Sequence, residues 1–271
     1  MRCSRGGSCS FSTTAFGIQS SLGPRNTLSE ERFAYRQSLT SSIRLLPNRL
    51  TWIDETNRGD HYYLAPEDRC LFYGEYFRGL SYRGGPTNQL IFNFKTAPSV
   101  VASNPYRARY KNRAVAEIAA VLRRTVPNED AQSVTWVPIP PSKAVGHPDY
   151  DDRLMRVLQK AFGGYDADIR PLLVQGTSTT ADHDTSVRLT PEELTGVLSV
   201  DMALVDQSPV QNQIILFDDV LNTGKHFKCC QSRIREVLPD IEIIGIFVAR
   251  CINPAANDVF EDVCPDHQKE H

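Results

Sequence analysis

The residues best suited to chemistry lie in one short stretch, Gln213-Ile-Ile-Leu-Phe-Asp-Asp-Val-Leu-Asn-Thr-Gly-Lys-His226. Its apolar, β-branched beginning reads as a buried strand that runs into two carboxylates, Asp218 and Asp219. In α/β proteins ligands bind outside the carboxyl edge of a parallel sheet, where this pair would fall. A small polar loop containing Gly224 follows and leads directly into a helical pattern. Backbone N–H groups of such a turn, with the helix dipole behind them, suit a phosphate. The carboxylates would repel that phosphate at close range, so they should face sugar hydroxyls or a magnesium shell. A phosphosugar satisfies both halves of the segment.

At these residues the chain resembles the type I phosphoribosyltransferases, whose signature is a hydrophobic strand, two acids, two apolar residues and Thr-Thr-Gly. Here Ile214–Phe217, Asp218-Asp219, Val220-Leu221 and Asn222-Thr223-Gly224 occupy those places. The resemblance implies that Asp218 and Asp219 hold the ribose hydroxyls of phosphoribosyl pyrophosphate (PRPP). It implies a 5-phosphate loop of Val220, Leu221, Asn222, Thr223, Gly224, Lys225 and His226, acting mainly through backbone N–H groups. Two positions depart from the family pattern: Asn222 replaces the first Thr, and His226 stands where Thr is frequent.

Trp136-Val-Pro-Ile-Pro-Pro-Ser-Lys143 is similar to the pyrophosphate loop of the ComF-type branch, which puts Pro141, Ser142 and Lys143 on pyrophosphate oxygens. Arg153 opens the next helical pattern; it either reaches the pyrophosphate or pairs with Asp151 or Asp152. The polar run from Thr177 to Arg188 has the length and composition of a lid or a free loop. His183 and Arg188 are its candidates for touching pyrophosphate or acceptor, and His183 is the one candidate base. Gln89–Lys95 is similar to the start of the ComF-type domain, so the likeness covers roughly residues 70–252. The amino-terminal zinc-binding cysteines of many ComF proteins are absent.

Elements that could position these residues follow from periodicity. Helical spacing marks Gln89–Lys95, Ala114–Arg124, Leu154–Phe162 and His226–Leu238. Short apolar runs mark strands at Ser133–Ile139, Ile169–Val174, Val197–Val205, Gln213–Phe217 and Glu242–Ala249. Leu50–Ile53, Tyr62–Leu64 and Leu71–Phe77 read as strands or irregular loops. The alternation predicts an α/β fold, a parallel sheet flanked by helices on both faces. The resemblance adds a hood or flap, for which residues 47–86 or 254–271 are available.

Residues 1–46 read as a flexible basic extension with a helix after the capping pair Thr27 and Glu30, and 47–271 as the phosphoribosyltransferase-like domain. Before Glu30 the chain carries Arg2, Arg5 and Arg25 and no acid, a composition shared with transit peptides, but it lacks a sustained apolar face. Thirty basic against 32 acidic residues give a net charge of −2, which disfavours a dedicated nucleic-acid binder. Arg107, Arg109, Lys111 and Arg113 form a basic run read as a solvated helix entry, with a phosphate-backbone patch as the alternative. No apolar run has the length of a membrane span. Seven cysteines, an odd number without C-x-x-C, point to a reducing, cytoplasmic setting.

The resulting expectation is an enzyme that binds PRPP with Mg²⁺ and transfers the phosphoribosyl group to a nitrogenous acceptor, releasing pyrophosphate. A homodimer is a possible assembly. Asn222 and His226 motivate a second reading, a PRPP- or nucleotide-sensing module without activity. The ComF likeness motivates a third, an accessory protein of DNA uptake or metabolism.

Overall fold

A computed structural model of the chain describes residues 46–177 and 189–253. The chain divides into Met1–Ile43 and Arg44–His271, and every described residue belongs to the second unit. The expected amino-terminal helix, His183, Arg188 and residues 254–271 lie outside the described residues.

A six-stranded sheet organises this unit: β1 (Thr51–Trp52), β2 (Arg69–Phe77), β3 (Thr135–Pro138), β4 (Asp168–Ile169), β7 (Gln213–Leu221) and β8 (Glu242–Ile252). Their spatial order is β1-β2-β8-β7-β3-β4, parallel throughout except for the short β1. Two further strands, β5 (Leu173–Gln175) and β6 (Leu198–Val200), form a separate antiparallel pair. The helices are α1 (Pro86–Phe94), α2 (Pro98–Ser103), α3 (Pro105–Thr125), α4 (Asn128–Gln132), α5 (Arg153–Phe162), α6 (Pro191–Val197), α7 (Met202–Asp206) and α8 (Lys225–Val237). None of the described helices is long and apolar enough to cross a membrane.

Both faces of the central strands are buried, as continuous apolar runs require. Side chains of one parity, Val137, Ile214, Leu216 and Ile243, share a core with Phe227 and Ile234 of α8. Gly245 on that face leaves the room that the Phe227 ring occupies; a Cβ there would lie 3.0 Å from it. The opposite parity meets α3 and α5: the Tyr73 hydroxyl lies 2.6 Å from Thr125 Oγ1, and the Trp136 and Phe162 rings are 4.7 Å apart. Trp136 and Phe217 are fully buried, each contributing about 2–3 kcal/mol of apolar transfer.

Several elements differ from the sequence expectation. Ile169–Val174 is two strands in two different sheets, because Pro171 cannot donate to a ladder and breaks the run. Val197–Val205 holds only the three residues of β6 as strand; Asp201 then caps α7 by accepting from the N–H of Ala203 and Leu204. The basic run lies inside α3, which starts at Pro105 with Asn104 as its cap. Tyr62–Leu64 is a turn, and residues 69–77 of the expected hood form a sheet strand.

The connectivity fixes where a ligand can sit. From β3 the chain moves outward to β4, and from β7 it moves to β8 on the other side. Neighbours β3 and β7 therefore form the topological switch point, and a crevice opens beyond their carboxyl ends.

Candidate functional site

The strand β7 runs on past its apolar part, so Asp218 and Asp219 are its sixth and seventh residues rather than loop residues. Pleating sends the two side chains to opposite faces. Asp219 points toward the α1 and α5 side, where it is 3% exposed and fully engaged. Its Oδ1 accepts from Lys95 Nζ at 3.0 Å, and its Oδ2 accepts from Arg153 Nη2 at 2.6 Å and Nε at 3.1 Å. Arg153 also donates to Asp151 at 3.2 Å. Behind it the buried Lys111 donates to Asp151 at 2.5 Å and to the Thr96 carbonyl at 2.6 Å. Burial alone would raise the Asp219 pKa, but the charges of Lys95 and Arg153 hold it well below the usual carboxylate range. Burial pulls the Lys111 pKa down, partly offset by Asp151.

Asp218 points to the α8 side and is only partly buried. Burial and the adjacent Asp219 charge push its pKa up to about 7. At neutral pH it is therefore a carboxyl group able to take or give a proton.

After β7 the backbone turns through Asn222, Thr223 and Gly224 into α8. Gly224 has φ +86° and meets the Leu64 side chain, which a Cβ would approach to 2.8 Å. Only glycine combines that left-handed backbone with that close approach. The segment between β1 and β2 lies behind the turn. His61 Nδ1 donates to the Asn222 carbonyl, and the Tyr63 N–H donates to the Thr223 carbonyl at 3.0 Å. Within a trans peptide the C=O and the following N–H point in opposite directions. With both carbonyls held from behind, the N–H groups of Thr223 and Gly224 turn forward. The segment is itself tied to α8, since Lys228 donates to both Asp68 oxygens at 2.8 Å and Gln231 to one at 3.2 Å.

In front of this turn is a cavity of about 220 Å³. It is bounded by the turn and the first residues of α8, by Asp218 and Asp219, by Ile139–Ser142 after β3, and by Arg78, Lys95 and Arg153. With Lys225, four cationic side chains face two carboxylates, so an anionic ligand is favoured.

The expected site residues Asp218, Asp219, Val220–His226, Pro141, Ser142 and Arg153 thus converge on one cavity. Lys143 does not join them; it lines an adjoining cavity of about 260 Å³ on the far side of Pro140 and Pro141. The Lys225 ammonium is held by the Leu189 carbonyl at 2.8 Å. Arg153 makes the Asp151 pair foreseen as one alternative and the Asp219 pair, which was not foreseen. Asp219, expected to face a ribose, lines the cavity but is paired with Lys95 and Arg153 in this structure. Sequence reasoning missed Lys95 and His61. Lys95 was visible only as the end of a helix, and His61 carried no signal beyond its place beside an aromatic run.

Among the described residues no cluster of three His, Cys, Asp or Glu side chains is placed to hold a metal ion. The four described cysteines are buried, and Cys229 and Cys230 both pack inside. Comparison with family models, with curated proteins and with solved structures returns no match.

Proposed function

We propose that this crevice binds a phosphorylated ribose, PRPP in the leading reading, and transfers its phosphoribosyl group to a nitrogenous acceptor. The observation that carries the proposal is the turn at Asn222–Gly224. Its carbonyls are pinned behind it, its amides face a cationic cavity, and a helix amino terminus follows. A terminal phosphate fits there, with the sugar extending toward Asp218.

The chain's contribution to the reaction is positioning and electrostatics. As the bond from the anomeric carbon to pyrophosphate breaks, positive charge grows on the sugar, and ionised Asp218 stabilises it. Arg153, Lys95 and Arg78 line the crevice and would supply positive charge to a departing polyanion. Asp218 can also accept the proton that an N–H acceptor loses, a role for which the sequence offered only His183. A magnesium ion would be held mainly by the ligand's own phosphates, with Asp218 the protein carboxylate available to it, and would neutralise pyrophosphate charge.

Asp219 favours attention to the second reading, a binding module without turnover. Its pairing with Lys95 and Arg153 leaves Asp218 as the carboxylate without a cation pair among the described residues of the site, an arrangement that suits binding without turnover. Both readings meet in one assay. Purified protein is titrated with PRPP and Mg²⁺ by calorimetry, and pyrophosphate release is followed with a panel of nucleobases. Binding with release supports transfer, and binding without release against the whole panel supports sensing. Absence of PRPP and orthophosphate binding refutes both.

A further inference from the structure

We infer that His61 is a positioning residue for anion binding: its Nδ1–H holds the Asn222 carbonyl out of the cleft and thereby aims the Thr223 amide at the ligand's phosphate. The inference rests on the phosphate-cradle reading of this turn.

A carbonyl oxygen accepts, so the His61–Asn222 contact requires a proton on Nδ1. The ring is completely buried, and burial lowers its pKa, with Asp60 and Arg250 the charged groups that face it. The imidazole is therefore neutral and carries a single proton. Nδ1 uses it, which leaves Nε2 as an acceptor, and Nε2 is buried without a hydrogen-bond partner among the described residues. A leucine would fill the same space with no unsatisfied nitrogen. A fold that keeps a half-satisfied imidazole in its core has a use for the satisfied half, and here that half touches only the turn.

The alternative position of the Asn222–Thr223 peptide makes the stakes concrete. Flipped, it would present a carbonyl oxygen to the phosphate in place of an N–H donor. The neighbouring peptide is secured differently, since the Thr223 carbonyl accepts from the Tyr63 backbone, which no side-chain substitution removes. His61 is thus the side chain through which the orientation of the first peptide can be tested.

The test compares the intact chain with His61→Asn, His61→Gln and His61→Leu. An asparagine Nδ2 stands at the same distance from the backbone as histidine Nδ1, whereas glutamine reaches one bond further. Calorimetric titration with inorganic phosphate and with PRPP should find Asn within about threefold of the parent and Gln and Leu roughly 10–100-fold weaker, the value of a charged hydrogen bond. Thermal unfolding identifies which variants fold. In a nitrogen-15 NMR titration, phosphate should shift the Thr223 amide in the parent and in the Asn variant but not in Leu, while the Gly224 amide responds in all three. A folded Leu variant that binds like the parent overturns the inference, as does a folded Asn variant that binds as weakly as Leu or Gln. If Leu does not fold, the Asn and Gln comparison decides by the same criterion. A parent chain that binds neither ligand removes the cradle reading itself, a result distinct from a binding parent with an indifferent residue 61.

Discussion

Replacing Asp218 by Asn separates what this carboxylate does for the site from what it costs the fold. In an unfolded chain aspartate releases its proton near 3.8, whereas burial and the neighbouring Asp219 charge keep that of Asp218 bound up to about 7. Between these values the folded state holds more protons than the unfolded one, so stability falls as pH rises through the window. At about 1.4 kcal/mol per pH unit the ceiling is about 4 kcal/mol, all of it felt above the folded pKa. Exposure of the carboxyl to the cleft screens part of this, leaving on the order of 2 kcal/mol. Asn titrates nowhere in the range. The stability of Asp218→Asn relative to the parent should therefore grow by about 1–3 kcal/mol between about pH 5 and pH 8. Urea unfolding of both chains at four pH values measures it. Any phosphoribosyl transfer should fall by roughly a hundredfold or more in the same variant. A stability difference that stays constant with pH, or shrinks as pH rises, would refute the placement of Asp218 as a carboxyl held protonated by its surroundings.

Gly224→Ala forces a Cβ both into a left-handed backbone and against Leu64; it should cost about 1–3 kcal/mol in urea unfolding and weaken orthophosphate binding at least tenfold. Lys111→Met leaves Asp151 buried beside Arg153 alone and should destabilise by about 3 kcal/mol, whereas Lys111→Met with Asp151→Leu recovers most of that loss. Asp219 works with the opposite sign to Asp218: its depressed pKa contributes stability above about 4 that disappears as pH falls. Arg153→Gln removes one of the two charges that depress it, so the acid-unfolding midpoint followed by circular dichroism should move up by about 0.5–1 pH unit. An unmoved midpoint would show that Arg153 does not act on Asp219.

The parts of this molecule that were legible in the sequence are those set by short-range pattern. The run Gln213–Phe217 announced a strand, the Thr-Gly step announced a turn into a helix, and the Ser133–Ile139 run announced a second buried strand. Pattern failed where a single residue overrules a run, as Pro171 does in Ile169–Val174 and Asp201 does after Val200. It also failed at the strand's end. The expected strand stopped at Phe217, yet the acids after it continue the pleat as far as Leu221, and only the pleat separates their roles. Contacts between distant residues were out of reach. Lys95 meets Asp219 across 124 residues, and His61 meets Asn222 across 161. Nothing local to either sequence position encodes such a meeting. It arises because the parallel sheet brings the ends of early and late strands to one edge.

That same sheet has a consequence for how the chain is made. β2 carries Leu71, Phe72 and Tyr73, and among the described residues its ladder partners are the two-residue β1 and β8, whose Glu242 pairs with Arg69 from 173 residues away. At ribosomal speed those residues take roughly 10–35 s to emerge. Throughout that interval the nascent chain displays an apolar strand whose edge waits for β8. Production of this protein should therefore depend on holding chaperones and on temperature more than its modest hydrophobic content suggests, and fragments ending before β8 should aggregate rather than persist as a smaller fold.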